Sequence, residues 1–309
     1  MFAQINQRKK TYLYIALQLF IVAAALFGWL LTRGSLFHKT FTLDEYLVSA
    51  QTVVVEDVTT DDTMSSGGVF LTTPELSLQK GSYLIYIHYN ANAGESTVHG
   101  SSSQLGFMEM TCPDALLNPA YHRAEMMLDL SRSVTDFTLS ASFSGSGYLS
   151  ITGISITETT DQAKRAIVRA FALCLLLNLL LLFRKSSPSS RKVMLALAAI
   201  FGVSCYPLYL DYLPVGHDIN FHLLRIEGIA KGLSNHTFPV KIHPFWAKDY
   251  GYAVGVMYGD AFLYFPALLR RFGYSVQSAY KLYAASINLG TVVISYFTFK
   301  RMFQRKQAG

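Results

Sequence analysis

The chain has 309 residues, of which 51% are hydrophobic and only 15% are charged. Soluble domains carry about 25% charged residues, so this composition and a mean hydropathy of +0.28 indicate a membrane protein. The net charge of +6 does not indicate nucleic-acid binding, because the basic residues cluster beside apolar segments. The three cysteines, at positions 112, 174 and 205, form neither a disulfide framework nor a zinc-binding C-x-x-C pattern.

Four apolar segments are long enough to be membrane spans. They cover residues 11–32, 166–183, 193–210 and 282–299. A cleaved signal peptide is the alternative for the first segment, but the apolar core of such peptides has only about 7–15 residues. We therefore expect an uncleaved N-terminal anchor.

Basic clusters flank these segments and predict their orientation. They comprise Arg8 to Lys10, Arg184 and Lys185 with Arg191 and Lys192, and Lys300 and Arg301 with Arg305 and Lys306. The alternation of the spans places all three clusters on one side, which the positive-inside rule makes cytoplasmic. Both termini are then cytoplasmic in a multi-pass protein of the cell membrane.

The predicted fold is an α-helical membrane protein with four transmembrane helices and an extracytoplasmic all-β domain between the first and second. An amphipathic helical loop is expected between the third and fourth. The predicted parts are an anchor (1–33), a β-sandwich (34–165), two transmembrane helices (166–212), an extracytoplasmic loop (213–280), and a fourth helix with a basic tail (281–309).

Residues 34–165 have the pattern of a β-sandwich, because short strand-forming runs alternate with turn signals. The strand candidates are residues 52–55, 69–72, 83–89, 107–110, 137–143 and 148–156. The stretch G-S-Y-L-I-Y-I-H-Y is similar to strands of jelly-roll carbohydrate-binding modules. A structural or partner-docking ectodomain is the alternative to a glycan-binding one.

The loop between the third and fourth spans begins with G-H-D-I-N-F-H-L-L-R-I-E-G. Asp218 can cap a helix that starts there, and Asp218, His222 and Arg225 share one face of that helix at i, i+4 and i+7. The apolar stripe beside them favours an amphipathic helix lying on the membrane. Its members are Ile219, Leu223, Ile226, Ala230 and Leu233. Asn220, Glu227 and Lys231 are assigned to a solvated face.

Aromatic residues and a carboxylate follow in the same loop, among them Tyr250, Tyr252, Tyr258 and Asp260. Tyrosine rings stack on sugars, and carboxylates bind sugar hydroxyls. The alternative is an aromatic belt at the membrane interface, where tyrosines are enriched.

Residues 212–296 resemble a family of bacterial multi-pass membrane proteins labelled 6-pyruvoyl-tetrahydropterin synthase-related, which look like GT-C glycosyltransferases. The blocks that carry the resemblance are, in order, G-H-D-I-N-F-H-L-L-R-I-E-G-I-A-K-G-L, F-P-V-K-I-H-P-F-W, Y-G-Y-A-V-G-V-M-Y-G-D and L-Y-F-P-A-L-L-R-R-F-G. The pterin label has no support in the residues, because the chain lacks the H-x-H pair of a zinc-binding pterin synthase.

The resemblance implies sugar transfer from a polyprenyl-phosphate donor, for modification of a cell-envelope glycan. Such enzymes carry an essential acidic residue in the first outer loop of the catalytic module, and Asp218 is the match. Asp218 would act as general base on an acceptor hydroxyl or hold a divalent cation, and His217 would orient it.

The remaining site residues are assigned to the substrate. Arg225 and His222 would neutralise the phosphate leaving group, since arginine suits bidentate contact with phosphate. Tyr250, Tyr252, Tyr258 and Asp260 would line the sugar site.

The resemblance also implies more membrane spans than this chain offers. We therefore expect a truncated chain, or one half of an enzyme whose missing helices come from a membrane partner. The alternative function is a non-catalytic membrane-anchored protein whose β-sandwich binds a partner or a glycan. A transporter is disfavoured, because Arg169 is the single charge within the predicted spans.

Overall fold

The computed structural model describes residues 2–32, 36–41, 47–48, 58–60, 68–92, 94–106, 109–111, 114–145, 147–214, 216, 218–243 and 251–303. The chain divides into two compact units. The helical unit comprises Met1–Ser35, Asp161–Tyr209 and Tyr283–Gly309, and the β-rich unit comprises Leu36–Thr160 and Leu210–Leu282.

The chain starts with helix α1, Phe2–Thr32, and continues into the β-rich unit. The strands described there are β1 His38–Phe41, β2 Leu47–Val48, β3 Val58–Thr60, β4 Gly68–Thr72, β5 Leu76–Leu78, β6 Gly81–Ala91, β7 Ser96–Ser101, β8 Met110–Thr111, β9 Asp114–Leu117, β10 Arg123–Leu130, β11 Val134–Phe143 and β12 Leu149–Glu158.

The strands form two antiparallel sheets. Sheet A has the order β1-β12-β6-β10-β8, with β3 also paired to β12, and sheet B has the order β2-β4-β11-β7-β9, with β5 also paired to β11. Side chains alternate between the faces of each strand, so Ile85 and Ile87 of β6 and Phe137 and Leu139 of β11 point inward into one hydrophobic core. The prediction of an all-β region made of packed antiparallel sheets is confirmed.

The predicted strands at 69–72, 83–89, 137–143 and 148–156 correspond to β4, β6, β11 and β12. The candidate at 52–55 and the first two residues of the candidate at 107–110 lie outside the described residues. Strand β10 was not predicted, because its sequence R-A-E-M-M-L-D-L is rich in residues that favour helices.

Two helices follow the sheets. Helix α2 spans Gln162–Lys185, and Asp161 caps it by accepting a hydrogen bond of 2.9 Å from the backbone N–H of Lys164. Helix α3 spans Pro188–Ser204 and begins with proline at its first position, after the cap residue Ser187. A 3-10 turn, Tyr206–Tyr209, closes this part of the chain.

Residues beyond this turn belong to the β-rich unit up to Leu282. They form α4 Ile219–Ser234, α5 Val254–Met257, a 3-10 turn Ala261–Leu263, α6 Tyr264–Arg271 and the start of α7 Val276–Met302. The sheets and the segment from Leu210 to Leu282, which were predicted as separate parts, therefore share one compact unit.

Among the described residues, three helices are long and apolar enough to cross a membrane: Tyr12–Leu31 within α1, Gln162–Lys185 and Val276–Met302. The third predicted span forms α3, which has 17 residues. At about 1.5 Å per residue this helix is shorter than a hydrocarbon core of about 30 Å. The fourth crossing, the orientation of the termini and the cellular location stay predictions.

Candidate functional site

Asp218 occupies the N-cap position of α4, as predicted, but its side chain accepts no capping hydrogen bond. The side chain is exposed, and its backbone carbonyl accepts the His222 N–H at 3.0 Å. The N-terminus of a helix carries a partial positive charge that favours a carboxylate. This carboxylate therefore lies at a favourable position and is accessible to a ligand.

Arg225 lies two turns further along α4 and is buried. Its Nε donates to Asp260 Oδ1 at 3.1 Å, and its Nη2 donates to the same oxygen and to the Gly259 carbonyl at 3.1 Å. Only 4% of the Arg225 side chain and 6% of the Asp260 side chain are exposed. Two residues that were predicted to contact the substrate are thus each other's partners in a buried ion pair.

Aromatic rings enclose this ion pair. The Arg225 guanidinium carbon lies 5.5 Å from the ring centroids of both Phe221 and Tyr258, and those two rings pack edge-to-face. Such cation–π contacts are stronger when they are shielded from water. The aromatic contacts add to the reasons why Arg225 keeps one orientation.

His222 is half-buried and lies between the exposed Asp218 and the buried Arg225. Its Nδ1 is 3.5 Å from Arg225 Nη1, and its ring packs against that of Phe221. The structure therefore brings His222, Arg225 and Tyr258 together around Phe221, one helical turn from Asp218.

His243 completes the buried part of the site, although sequence reasoning gave it no role. Its Nε2 lies 3.7 Å from Asp260 Oδ2. Burial lowers the pKa of His243, and the Arg225 charge lowers it further, whereas Asp260 raises it. The balance favours a neutral imidazole next to the ion pair.

Two glycines make room for His243 and Asp260. A Cβ at Gly228 would lie 2.5 Å from His243 Nδ1, and a Cβ at Gly255 would lie 2.5 Å from Asp260 Oδ2. Both distances are far below van der Waals contact. Glycine at these two positions, within the blocks that carry the family resemblance, is the sequence signal that could have indicated the buried cluster.

The tyrosines of the predicted sugar site are partly described. Tyr252 is 49% exposed and Tyr258 is 56% exposed. Tyr252 is held by antiparallel backbone pairing with His243, at N–O distances of 2.9 and 3.1 Å. His217 and Tyr250 lie outside the described residues, so their assigned roles stay predictions.

Glu227 and Lys231 of α4 form ion pairs within the protein, which corrects the prediction that they are solvated, whereas Asn220 is exposed as predicted. Lys231 Nζ donates to both carboxylate oxygens of Glu125 on β10, at 2.7 and 2.6 Å. Glu227 accepts from Arg270 Nε at 2.6 Å and from its Nη2 at 3.2 Å. The polar face of α4 is therefore a docking face within the protein.

Arg270 links three elements through one guanidinium. Besides Glu227 of α4, it donates to the Thr159 carbonyl at 3.2 Å, to Thr159 Oγ1 at 2.5 Å and to the Tyr274 carbonyl at 3.1 Å. With the two bonds to Glu227, Arg270 donates five hydrogen bonds, one for each of the five N–H groups of an arginine. A saturated, buried arginine fixes α6 and α4 against the end of β12.

A second polar junction joins sheet A to the start of α7. The Gln277 N–H donates to Asp129 Oδ2 at 2.9 Å, and the Val276 N–H donates to Ser82 Oγ at 3.2 Å. Burial raises the pKa of Asp129 to about 7, against smaller lowering effects of Gln277 and Arg270. This carboxyl group accordingly titrates near neutral pH.

Three of the five residues of the predicted apolar stripe of α4 are buried within the protein, and Ile219 and Leu233 are half-buried. Leu223, Ile226 and Ala230 are buried, with 1%, 0% and 5% exposure. Ile229, which was not in the predicted stripe, is fully buried too. The expectation that this stripe lies on the membrane is wrong, because α6 and the neighbouring segments of the same unit occupy it.

A divalent cation needs several oxygen or nitrogen ligands. Within the described ranges no group of three or more His, Cys, Asp or Glu side chains is placed to hold a metal ion. Asp260 is engaged by Arg225. A divalent cation at Asp218 stays a prediction.

No family model and no curated protein matches the chain. Among solved structures, the C-terminal CBM6 of LamC, a marine laminarinase from Zobellia galactanivorans, is similar to part of it. That match covers 39% of this chain and 100% of the other, at 10% identity and a TM-score of 0.23. A TM-score this low supports no conclusion about fold or function.

Proposed function

We propose that the chain is part of a membrane glycosyltransferase of GT-C type, which transfers a sugar from a polyprenyl-phosphate donor to an acceptor in the cell envelope. The observation that supports this proposal is the position of Asp218. Its carboxylate is exposed at the start of α4 and accepts no capping hydrogen bond from the helix. The rest of α4 is fixed by Arg225 and Asp260 and by its contacts with sheet A.

In the proposed reaction Asp218 is the general base. The acceptor hydroxyl gives its proton to the Asp218 carboxylate while its oxygen attacks the anomeric carbon of the donor sugar. The bond between that carbon and the phosphate oxygen breaks, and its electron pair leaves with the polyprenyl phosphate. Such a base contributes about 10²–10⁴-fold to the rate when it is correctly placed.

The other residues hold the substrate and the helix. His222, which is half-buried one turn from Asp218, can donate a hydrogen bond to the leaving phosphate. Arg225 keeps Asp260 as its partner and positions His222 and Tyr258. The exposed rings of Tyr252 and Tyr258 provide faces on which a sugar can stack.

The test compares sugar transfer by the unchanged chain, Asp218→Asn and a matched control. Membranes containing each variant, with co-expressed membrane partners, receive radiolabelled polyprenyl-phosphate sugars. Asp114→Asn is the control, because Asp114 is an exposed carboxylate on sheet B that pairs with the surface residue His99. We expect a loss of about 10²–10⁴-fold in Asp218→Asn, and none in the control. Full activity of Asp218→Asn would refute the role of Asp218.

The second candidate is a non-catalytic membrane-anchored protein whose β-sandwich binds a partner or a glycan. One observation favours it: Arg225 and Asp260 satisfy each other in a buried pair, which is a common arrangement for structural residues. Absence of transfer from every donor by the folded, unchanged chain would support this candidate over the transferase.

A further inference from the structure

The β-rich unit exposes a set of large apolar side chains after α4. These side chains, which we call the apolar patch, are Phe238, Ile242, Val256, Met257, Phe262, Phe265 and Leu268. The most exposed are Met257 at 80%, Phe262 at 78% and Phe238 at 76%. Soluble proteins seldom expose many large apolar side chains in one region, and such patches mark interaction surfaces.

The elements that carry the patch are packed on one another. The Tyr264 hydroxyl, at the start of α6, accepts the Val240 N–H at 2.7 Å, and the Tyr264 ring packs edge-to-face on that of Phe238. Gly255 of α5 lies against the Val240 carbonyl, which a Cβ at this glycine would approach to 2.8 Å. Segment 238–242, α5 and α6 are therefore neighbours, and the members of the patch belong to elements that pack together.

The charges of these segments fit a lipid surface. Within residues 236–243 and 251–272 the exposed charged side chains are Lys241 and Arg271, both basic. Asp260 and Arg270, the other two charged residues there, are buried in ion pairs. Aromatic and aliphatic side chains bordered by basic ones are typical of protein surfaces that enter the headgroup region of a bilayer.

Few residues along the chain separate the patch from a helix that could cross a membrane. Helix α6 ends at Arg271, and α7, which is long and apolar enough to cross a membrane, begins at Val276. Four residues therefore separate the patch-bearing helix from a candidate span. A lipid surface is within reach without any other protein.

We propose that the apolar patch inserts into the outer leaflet of the bilayer, with Lys241 and Arg271 at the level of the lipid phosphates. Side chains of this kind enter to a depth of about 5–10 Å. The insertion concerns α5, α6 and segment 238–242, and not the apolar stripe of α4, which is buried. It does not depend on the proposed sugar transfer.

The test measures lipid contact at single positions of the full chain. Met257→Cys and Phe262→Cys are each labelled with a small fluorophore, in a background in which the three native cysteines are replaced by alanine. Thr97→Cys, on the exposed face of sheet B, is the control. Each protein is placed in nanodiscs that contain lipids brominated near the headgroup or deep in the chain.

We expect shallow bromine to quench the labels at 257 and 262 strongly and the label at 97 hardly at all. A label at Ile294→Cys, in the candidate span α7, serves as the positive control for lipid contact. Quenching at 294 without quenching at 257 and 262 would overturn the proposal. A protein partner covering the patch would give this same unquenched result with blue-shifted emission.

Discussion

At the scale of single residues, the Arg225–Asp260 pair decides how the site is built. Both side chains are almost fully buried, and each supplies the main charged contact of the other. Removing one partner of a buried ion pair leaves an uncompensated charge, whereas removing both together with good packing costs much less. The pair is therefore a fixed structural contact on which the exposed residues depend.

We predict that Arg225→Met and Asp260→Leu each lower the free energy of unfolding by about 3–5 kcal/mol. The double variant should lose less than the sum of the two single losses, because no charge is left buried without a partner. Thermal unfolding of the detergent-solubilised protein, followed by fluorescence, checks this. A loss in the double variant equal to the sum of the two single losses would contradict the assignment of a coupled pair.

The raised pKa of Asp129 predicts one contribution to the pH dependence of stability. Its folded pKa, about 7, lies above the ordinary value of 3.8. The folded state thus holds a proton that the unfolded state has released between those values. The contribution of Asp129 to stability is therefore highest below about pH 4, falls as the pH rises towards 7, and changes no further above that value.

Asp129→Asn removes this titration, so the variant should lose the fall in stability between pH 4 and pH 7. The neighbouring groups that also shift the pKa of Asp129 are Gln277, Arg270, Ser82 and Glu227, and they are present in both proteins. Unfolding midpoints of the variant and the unchanged protein, measured at several pH values, provide the check. An identical pH profile for both would refute the raised pKa.

At the scale of elements, helix α4 connects the parts of the site, because its different faces make different contacts. Its start carries Asp218. Further along, Arg225 pairs with Asp260, Glu227 with Arg270 of α6, and Lys231 with Glu125 of sheet A. Gly228 lets His243 lie directly against the helix. The position of α4 is thus set by contacts on several sides.

Gly228→Ala should destabilise the packing of α4 by about 1–3 kcal/mol, the usual cost of overpacking. Its Cβ would meet the His243 ring, which is fully buried. Gly153→Ala is the matched control, since a Cβ there meets nothing within 4 Å. Hydrogen exchange of the α4 amides should quicken in Gly228→Ala alone. Equal exchange in both variants would contradict the close contact.

The elements also show what a sequence can predict. Strand β6 was predictable because aromatic and β-branched residues fill it, whereas β10 has only its alternation to indicate a strand, in Ala124, Met126, Leu128 and Leu130. The helical period predicted α4 and its apolar stripe. Its polar face was misassigned because the partner of Lys231, Glu125, lies 106 residues away.

The site was predictable to a similar extent. The blocks that carry the family resemblance contain Asp218, His222, Arg225 and Asp260, and the structure brings the last three close together. That Arg225 pairs with Asp260 depends on a contact over 35 residues, which local patterns do not encode. The same limit applies to His243, whose partner Asp260 also follows it at a distance in the chain.

At the scale of the whole molecule, the sheets and the segment from Leu210 to Leu282 fold as one unit. Arg270, Lys231 and Gln277 each join that segment to sheet A. Because of these contacts, the sheets help to hold α4 in place and are not a freely tethered module. The proposed transferase site therefore rests on the sandwich as well as on its own loop.

The most direct test of the account is sugar transfer from radiolabelled polyprenyl phosphates by the unchanged chain and by Asp218→Asn, in the same membranes and at matched protein levels. We predict transfer by the unchanged chain and a loss of about 10²–10⁴-fold in the variant. Equal transfer by both, or no transfer from any donor by the folded chain, would contradict it.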